Sequence, residues 1–257
     1  MDRFILDIAV LLLALLLAVC IAVGHILGRK HLDRERADKL LIVGVAESAV
    51  FGLLALLIAF TFSGAYERYE SRKMHLVEEA DVFDRAYNYI DLLPNNMQAE
   101  MRQDMRDYFD TYIAIFSDIP DVAAINKHLV QAHIIEDKIW HATVRSVDES
   151  KNKALAQVYI PVFNDMFEAA HTGYYMTQIH PPSIIFVLLI GLSALGAFLV
   201  GYNSAEMKRM WPLHSICYVL LTAITIYIIV NMEYPRVGFI DLGVFDKILT
   251  QVRMEMS

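Results

Sequence analysis

Four long apolar segments restrict what this chain can fold into. They cover residues 4–27, 40–62, 183–202 and 213–231, and each is close to the roughly 20 residues that an α-helix needs to cross a bilayer. Hydrophobic residues make up 56% of the chain although 20% of its residues are charged, so the two kinds must occupy different parts of the sequence. The sequence therefore predicts an all-α membrane protein with four transmembrane helices.

The polar region between the second and third apolar segments predicts an inserted bundle of helices. Apolar residues continue at helical spacing from Tyr69 to Ile90, so we expect the second span to continue as one long helix that ends near Pro94. Further helices are expected from about residue 96, over about 121–147 and over about 150–179, and Pro161 should kink or divide the last of them. The predicted first helix after Pro94 has one apolar face, formed by Met97, Met101, Met105, Tyr108 and Tyr112.

This pattern divides the chain into four predicted parts. Residues 1–63 form the first pair of transmembrane helices, 64–180 the polar helical domain, 181–240 the second pair and 241–257 a C-terminal tail. An even number of spans places both termini and the helical domain on one side of the membrane. The basic residues near the spans are equally numerous on the two sides, so the first helix decides the prediction. One basic residue, Arg3, precedes the first span and a basic cluster follows it, and the positive-inside rule then predicts an extracytoplasmic helical domain.

Charge and motif content exclude several classes of function. The net charge of −8 gives no basic surface for nucleic acid. Nucleophile elbows, phosphate-binding glycine loops and zinc-type His-Glu-x-x-His motifs are absent from the sequence. We therefore predict neither an enzyme nor a cofactor.

Two groups of polar residues in the helical domain have the spacing of metal ligands. His133, Asp137 and His141 share a helical face, and Glu168 and His171 form a single Glu-x-x-His pair. A di-iron bundle needs two such pairs and further inward-facing glutamates. A solvated polar face is the favoured interpretation, no metal site is predicted, and a metal-dependent enzyme is the least favoured alternative.

The second span carries an acidic residue and a stripe of small residues. Glu47 lies about two turns inside the span, where a carboxylate must face protein, water or a cation, either as a structural group or on an ion path. The stripe consists of Gly44, Ser48 and Gly52, which recur every four residues, and continues through Ala55, Ala59 and Ser63. In the third span Ser193, Ala197 and Gly201 repeat the spacing. Such stripes serve packing within one subunit, a subunit interface or a pore wall.

Three stretches of the sequence resemble the bacterial bestrophin-like family. The first, from Gly52 to Pro94, contains the Phe-Thr-Phe-Ser helix end at 60–63, spaced arginines, a Glu-Ala pair at 79–80 and a Leu-Leu-Pro stop. The second begins at Asn164 and includes Pro181 and Pro182, and the third is EYPRVGFI from Glu233. The resemblance covers about residues 41–240, although 118–153 match only in helicity and Tyr174 stands where we expect an arginine.

The resemblance implies a multi-pass protein of the bacterial inner membrane and, by analogy of fold, a pentameric anion channel. In such a channel the second span lines the pore, with a hydrophobic constriction and polar contacts near the mouth. Our pore-lining candidates are Glu47, Phe60, Thr61, Phe62 and Ser63. Arg68 and Arg72 are either anion contacts or juxtamembrane anchors and ion-pair partners. Bestrophins keep the helical domain cytoplasmic, which is opposite to the orientation that the charges predict.

The leading functional hypothesis is an oligomeric, channel-like protein that conducts a small ion through copies of its second span. Its expected partners are the lipid bilayer and other copies of itself. The alternative is a non-conducting membrane scaffold or sensor that binds a partner through its helical domain.

Overall fold

The computed structural model describes residues 3–32, 38–117, 121–149, 153–206, 212–236, 240 and 243–256. Within these residues the chain is helical and contains no β-strand. The helices are α1 (Arg3–Leu32), α2 (Asp38–Tyr89), α3 (Asn95–Ser117), α4 (Val122–Glu149), α5 (Ala156–Met176), α6 (Ser183–Asn203), α7 (Pro212–Glu233) and α8 (Gly243–Glu255). Helices α1, α2, α6 and α7 are long and apolar enough to cross a membrane. The prediction of an all-α protein with four transmembrane helices is therefore confirmed.

Helix α2 extends far beyond its apolar part. It runs without a break for 52 residues and is followed by a short 3₁₀ turn, Ile90–Leu92. Leu93 then adopts an extended conformation, as expected for a residue that precedes a proline. The predicted long helix that ends near Pro94 is confirmed. At the other end of the helical domain, α6 begins directly after Pro181 and Pro182, as the sequence predicted.

Residues 1–68 and 180–240 form one compact unit. Its core includes Leu17 of α1 and Leu189 and Ala197 of α6, all fully buried. Helices α1 and α6 pack closely because glycines face the partner backbone: a Cβ at Gly24 would overlap the Phe198 carbonyl oxygen, and a Cβ at Gly201 would overlap the Ile21 carbonyl oxygen. The small residues of the third span therefore pack within the chain.

Residues 69–179 and 241–257 form the second compact unit, which we call the helical domain. Its core is aromatic: the ring of Phe83 lies 4.4 Å from that of Phe109 and 5.4 Å from that of Tyr112, measured between centroids. The predicted apolar face of α3 is confirmed, because Met97, Met101, Met105, Tyr108 and Tyr112 are all buried. Pro161 does not divide α5. It is exposed in the second turn of the helix, where the loss of one backbone hydrogen bond does not interrupt the core.

The C-terminal segment is a structural part of the helical domain. Helix α8 buries Leu249 and the residue after the helix, Met256, in the same core. The Tyr87 hydroxyl donates a 2.6 Å hydrogen bond to the Met256 carbonyl oxygen, and Arg253 forms an ion pair with Asp110. Residues 241–257 were predicted as a C-terminal tail, with no helix.

Candidate functional site

The apolar part of α2 has one covered and one uncovered face. Leu54 and Ala65 are buried on the covered face, and Gly52, Ala59 and Ser63 are exposed on the opposite face. In the most apolar 18-residue segment of each span, only 6% of the segment is buried in α2, compared with 22%, 33% and 28% in α1, α6 and α7. A Cβ at Gly52 would meet no atom within 4 Å. The part of the small-residue stripe from Gly52 to Ser63 therefore lies on the uncovered face of α2.

The Phe60–Ser63 segment is divided between these two faces. Ser63 lies on the uncovered face, and Phe60 and Phe62, which are 68% and 40% exposed, flank it. Residues two positions apart on a helix are separated by about 200° around its axis, so the two phenylalanines lie on different sides of the face. Thr61 points the other way, and its hydroxyl donates to the Leu57 and Ile58 carbonyl oxygens at 2.8 and 3.0 Å. Phe60, Phe62 and Ser63 are thus available to contacts outside the chain, whereas Thr61 is partly buried on the covered side of α2.

Glu47 lies on the covered side of α2 and is half-buried. Its carboxylate accepts a hydrogen bond from the side-chain amide of Asn203 on α6. An amide donor satisfies a carboxylate near a membrane boundary without a cation. This contact suits a structural carboxyl group, and a role for Glu47 on an ion path stays a prediction.

Arg68 forms a polar contact between α2 and α7. Its Nε and Nη2 atoms donate to both carboxylate oxygens of Glu233 over 2.9–3.1 Å, and the Glu233 side chain is fully buried. His180 Nδ1 lies 3.3 Å from Glu233 Oε1, and the centroid of the His180 ring lies 4.4 Å from that of the Tyr234 ring. Two-pronged pairing of arginine with a buried carboxylate fixes both position and orientation. The ion-pair interpretation of Arg68 therefore fits this geometry better than the anion-contact interpretation.

A small cavity of about 170 Å³ lies beside the Arg68–Glu233 pair. Its remaining walls are mostly apolar and come from α2, the Pro181 region, α6 and α7. Gly64 forms part of the wall, and a Cβ there would lie 3.2 Å from Arg68 Nη1. The absence of a side chain at position 64 keeps this side of the guanidinium open.

Arg72 is buried, with 8% of its surface exposed, and binds the C-terminal end of α5. Its Nε donates to the Met176 carbonyl oxygen at 3.2 Å and its Nη2 to the Ile179 carbonyl oxygen at 2.9 Å. The last carbonyl groups of a helix lack partners within the helix, and a cation there also interacts favourably with the helix dipole. These contacts give Arg72 a structural role in the helical domain.

Three of the five polar residues that had metal-like spacing, Asp137, Glu168 and His171, line an open cleft of about 490 Å³ between α4 and α5, and His133 and His141 are not among its lining residues. His171 Nε2 is 2.9 Å from Glu136 Oε2, and His133 Nδ1 is 4.0 Å from the same oxygen. Asp137 and Glu168 line the cleft together with Trp140. Among the described residues, no three His, Cys, Asp or Glu side chains are placed to hold a metal ion.

The match to a family model decides which family this chain is part of. The model of the Bestrophin-like domain matches residues 8–243, nearly the whole chain. The chain belongs to the Bestrophin-like family. The resemblance read from the three sequence stretches is confirmed. No curated protein matches the chain in sequence.

Solved structures share the fold of this Bestrophin-like chain. Two variants of a bacterial bestrophin homolog from Klebsiella pneumoniae superpose with TM-scores of 0.71 and 0.68 at 11% and 10% sequence identity. The first match covers 96% of this chain and 98% of the other, and the second covers 96% of each. Identity this low establishes the fold alone. The chain is accordingly a multi-pass membrane protein with the architecture of bacterial bestrophin homologs.

Glu233 and His180 were not among the site residues predicted from the sequence. Glu233 opens the third stretch that resembles the Bestrophin-like family, and His180 directly precedes the two prolines. An acidic residue at the end of an apolar span must find a partner, so Glu233 carried a usable signal. The identity of its partner requires long-range contacts that sequence spacing does not reveal.

Proposed function

We propose that this Bestrophin-like protein assembles into a ring of identical copies in a bacterial inner membrane and conducts small ions along the uncovered face of α2. The observation that carries the proposal is the contrast between the two small-residue stripes. The stripe of α6 packs against α1, whereas a Cβ at Gly52 of α2 would meet no described atom within 4 Å, and Ala59 and Ser63 of α2 are exposed.

Exposed apolar residues alone do not require a protein partner in a membrane, because lipid tails solvate them. A stripe of small residues is different, since it allows helix backbones to approach closely and gain van der Waals contacts. In a ring the same stripe can also widen a central path, with Phe60 and Phe62 at its edges as apolar constricting groups. Ser63 supplies a hydroxyl on the face that would border this path.

The contacts of Arg68 and Arg72 support a stabilising role for both arginines. Arg68 forms an ion pair with Glu233, and Arg72 donates hydrogen bonds to backbone carbonyl oxygens of the helical domain. We therefore attribute the conduction path to the uncovered face of α2 and not to these guanidinium groups. The extracytoplasmic position of the helical domain, which rests on the charges around α1, stays a prediction.

Cysteine modification tests the proposal with two positions that are two residues apart. Cys20 and Cys217 are first replaced by serine, and Ser63→Cys and Thr61→Cys are then introduced separately. A thiol reagent that adds a charged group should reduce ion flux into liposomes for Ser63→Cys and leave Thr61→Cys unchanged. Absence of flux from the unmodified protein, or equal inhibition at both positions, would contradict the proposed path.

The open cleft of the helical domain favours the second candidate function, a non-conducting sensor or scaffold. Its volume of about 490 Å³ suits a small ligand, and it combines acidic groups with the exposed edge of Trp140. Replacement of Trp140 by alanine should leave ion flux unchanged if the protein is a channel. A protein without flux whose partner binding depends on Trp140 would support the sensor instead.

A further inference from the structure

The helical domain contains a buried carboxylate that its surroundings only partly satisfy. Glu79 of α2 is fully buried, and its Oε1 atom accepts a 2.7 Å hydrogen bond from the Tyr112 hydroxyl of α3. Its Oε2 atom has no hydrogen-bond partner and is the only such buried side-chain nitrogen or oxygen among the described residues. A buried carboxylate without full hydrogen bonding is costly unless a cation compensates it.

His75 is the group that can supply this positive charge. It lies one turn before Glu79, beyond the apolar part of α2, and only 11% of its side chain is exposed. Its Nε2 atom is 3.2 Å from Glu79 Oε1 and 3.0 Å from the Ala169 carbonyl oxygen of α5. Both are acceptors, so Nε2 carries a proton. Nδ1 lies 3.7 Å from a carboxylate oxygen of Glu78, and this arrangement favours the doubly protonated ring.

Helix α5 approaches the pair through a glycine. A Cβ at Gly173 would overlap the Glu79 carboxylate and lie 2.6 Å from the Tyr112 hydroxyl oxygen. The Ala169 carbonyl oxygen, one turn earlier on α5, accepts from His75. The His75–Glu79 pair therefore lies in the contact between α2 and α5, one turn along α2 from the Arg72–Met176 hydrogen bond.

We propose that His75 and Glu79 form a proton-binding site that holds α2 against α5 when His75 is protonated and weakens this contact when the proton leaves. Loss of the proton would leave Glu79 as a buried anion without a compensating charge. Such an anion is strongly destabilising. The site lies within the helical domain, and the inference holds whether or not the protein conducts ions.

The other titratable groups around the pair do not replace His75 in this role. Helix α3 contributes the hydroxyls of Tyr108 and Tyr112. Burial, followed by the charges of Glu136 and Glu79, raises the pKa of Tyr108 above its ordinary value, so this hydroxyl stays protonated in mild acid and in mild alkali. Glu136 of α4 is paired with His171 of α5. Among these groups, His75 is the histidine in direct contact with the buried carboxylate.

The hydrogen bond to Glu79 raises the pKa of His75 above its ordinary value, although burial opposes the shift. A histidine with a raised pKa in the folded state adds stability below its unfolded pKa of about 6.5. That stability is lost as the pH rises through the raised pKa. The contact between α2 and α5 should therefore be more stable in mild acid than in mild alkali.

Hydrogen–deuterium exchange of the purified full-length protein in detergent tests this inference. After correction for intrinsic exchange rates, amides of α5 should open more readily at pH 8.5 than at pH 5.5, by about tenfold for each unit by which the pKa of His75 is raised. His75→Gln and Glu79→Gln should each remove this pH dependence. His141→Gln, at an exposed position of α4, is the matched control and should retain it.

Two results would overturn the proposal. One is a wild-type protein in which the exchange of α5 amides does not change with pH. This measurement does not depend on the folding of any variant. The other is a folded His75→Gln protein with the full wild-type pH dependence.

Discussion

Replacing Arg68 by alanine should destabilise the protein through the carboxylate that it leaves behind. The Glu233 side chain is fully buried, and the substitution removes all of its contacts with the guanidinium. Removing one partner of a buried ion pair costs about 3–5 kcal/mol. The Arg68 side chain is 31% exposed and His180 remains 3.3 Å from Glu233, so we expect a smaller loss, about 2–3 kcal/mol.

The assay is reversible unfolding in mixed micelles, with the Arg68→Ala protein compared with a double variant. Arg68→Met combined with Glu233→Gln leaves no uncompensated charge, so the double variant should lose less stability than Arg68→Ala alone. Arg85→Ala is the control, because Arg85 is exposed on the same helix, and it should change stability by at most about 0.5 kcal/mol. The ratio of anion to cation flux should not change in Arg68→Ala.

Two outcomes would refute this reasoning. A loss in Arg68→Ala no larger than that in Arg85→Ala would show that the pair contributes little. A folded Arg68→Ala protein with altered ion selectivity would support the anion-contact interpretation.

Further predictions concern packing, the C-terminal helix and orientation. Gly201→Leu should not fold, because its side chain would overlap the α1 backbone, and a thermal melt should show no unfolding transition. Gly52→Leu should fold, but size-exclusion chromatography should show reduced assembly. Equal effects of the two substitutions would contradict the distinction between the two stripes. Leu249→Ala should cost about 2–4 kcal/mol in chemical unfolding, since the side chain is 2% exposed, and a neutral result would show that α8 is dispensable. If the helical domain is extracytoplasmic, Gln131→Cys on α4 should react with an impermeant maleimide in intact cells. Reaction only after permeabilisation would favour a cytoplasmic helical domain.

The sequence was sufficient for the four spans and the long extension of α2 because membrane helices obey strong local rules. A span must be about 20 residues long and apolar, and every backbone group in it must be bonded internally. The continuation of α2 to Tyr89 followed from the helical spacing of its apolar residues, and the start of α6 followed from Pro181 and Pro182. Each of these signals lies within a few residues of the feature that it predicts.

The candidate site could be predicted only in part, because its contacts join distant parts of the chain. The Phe-Thr-Phe-Ser segment was treated as one pore-lining unit, yet Thr61 points to the covered side of α2. Only the arrangement of α6 and α7 determines which side is covered. The pairing of Arg68 with Glu233 and the burial of Leu249 by the helical domain likewise depend on residues far apart in sequence.

The direct test of the central claim is the mass of the detergent-solubilised protein, measured by light scattering with the detergent contribution subtracted. A chain of 29.3 kDa that forms a ring around the uncovered face of α2 should give a pentamer or a similar closed multiple of this mass. A monomer or dimer would contradict the proposed conduction path, since one or two copies of α2 cannot enclose it.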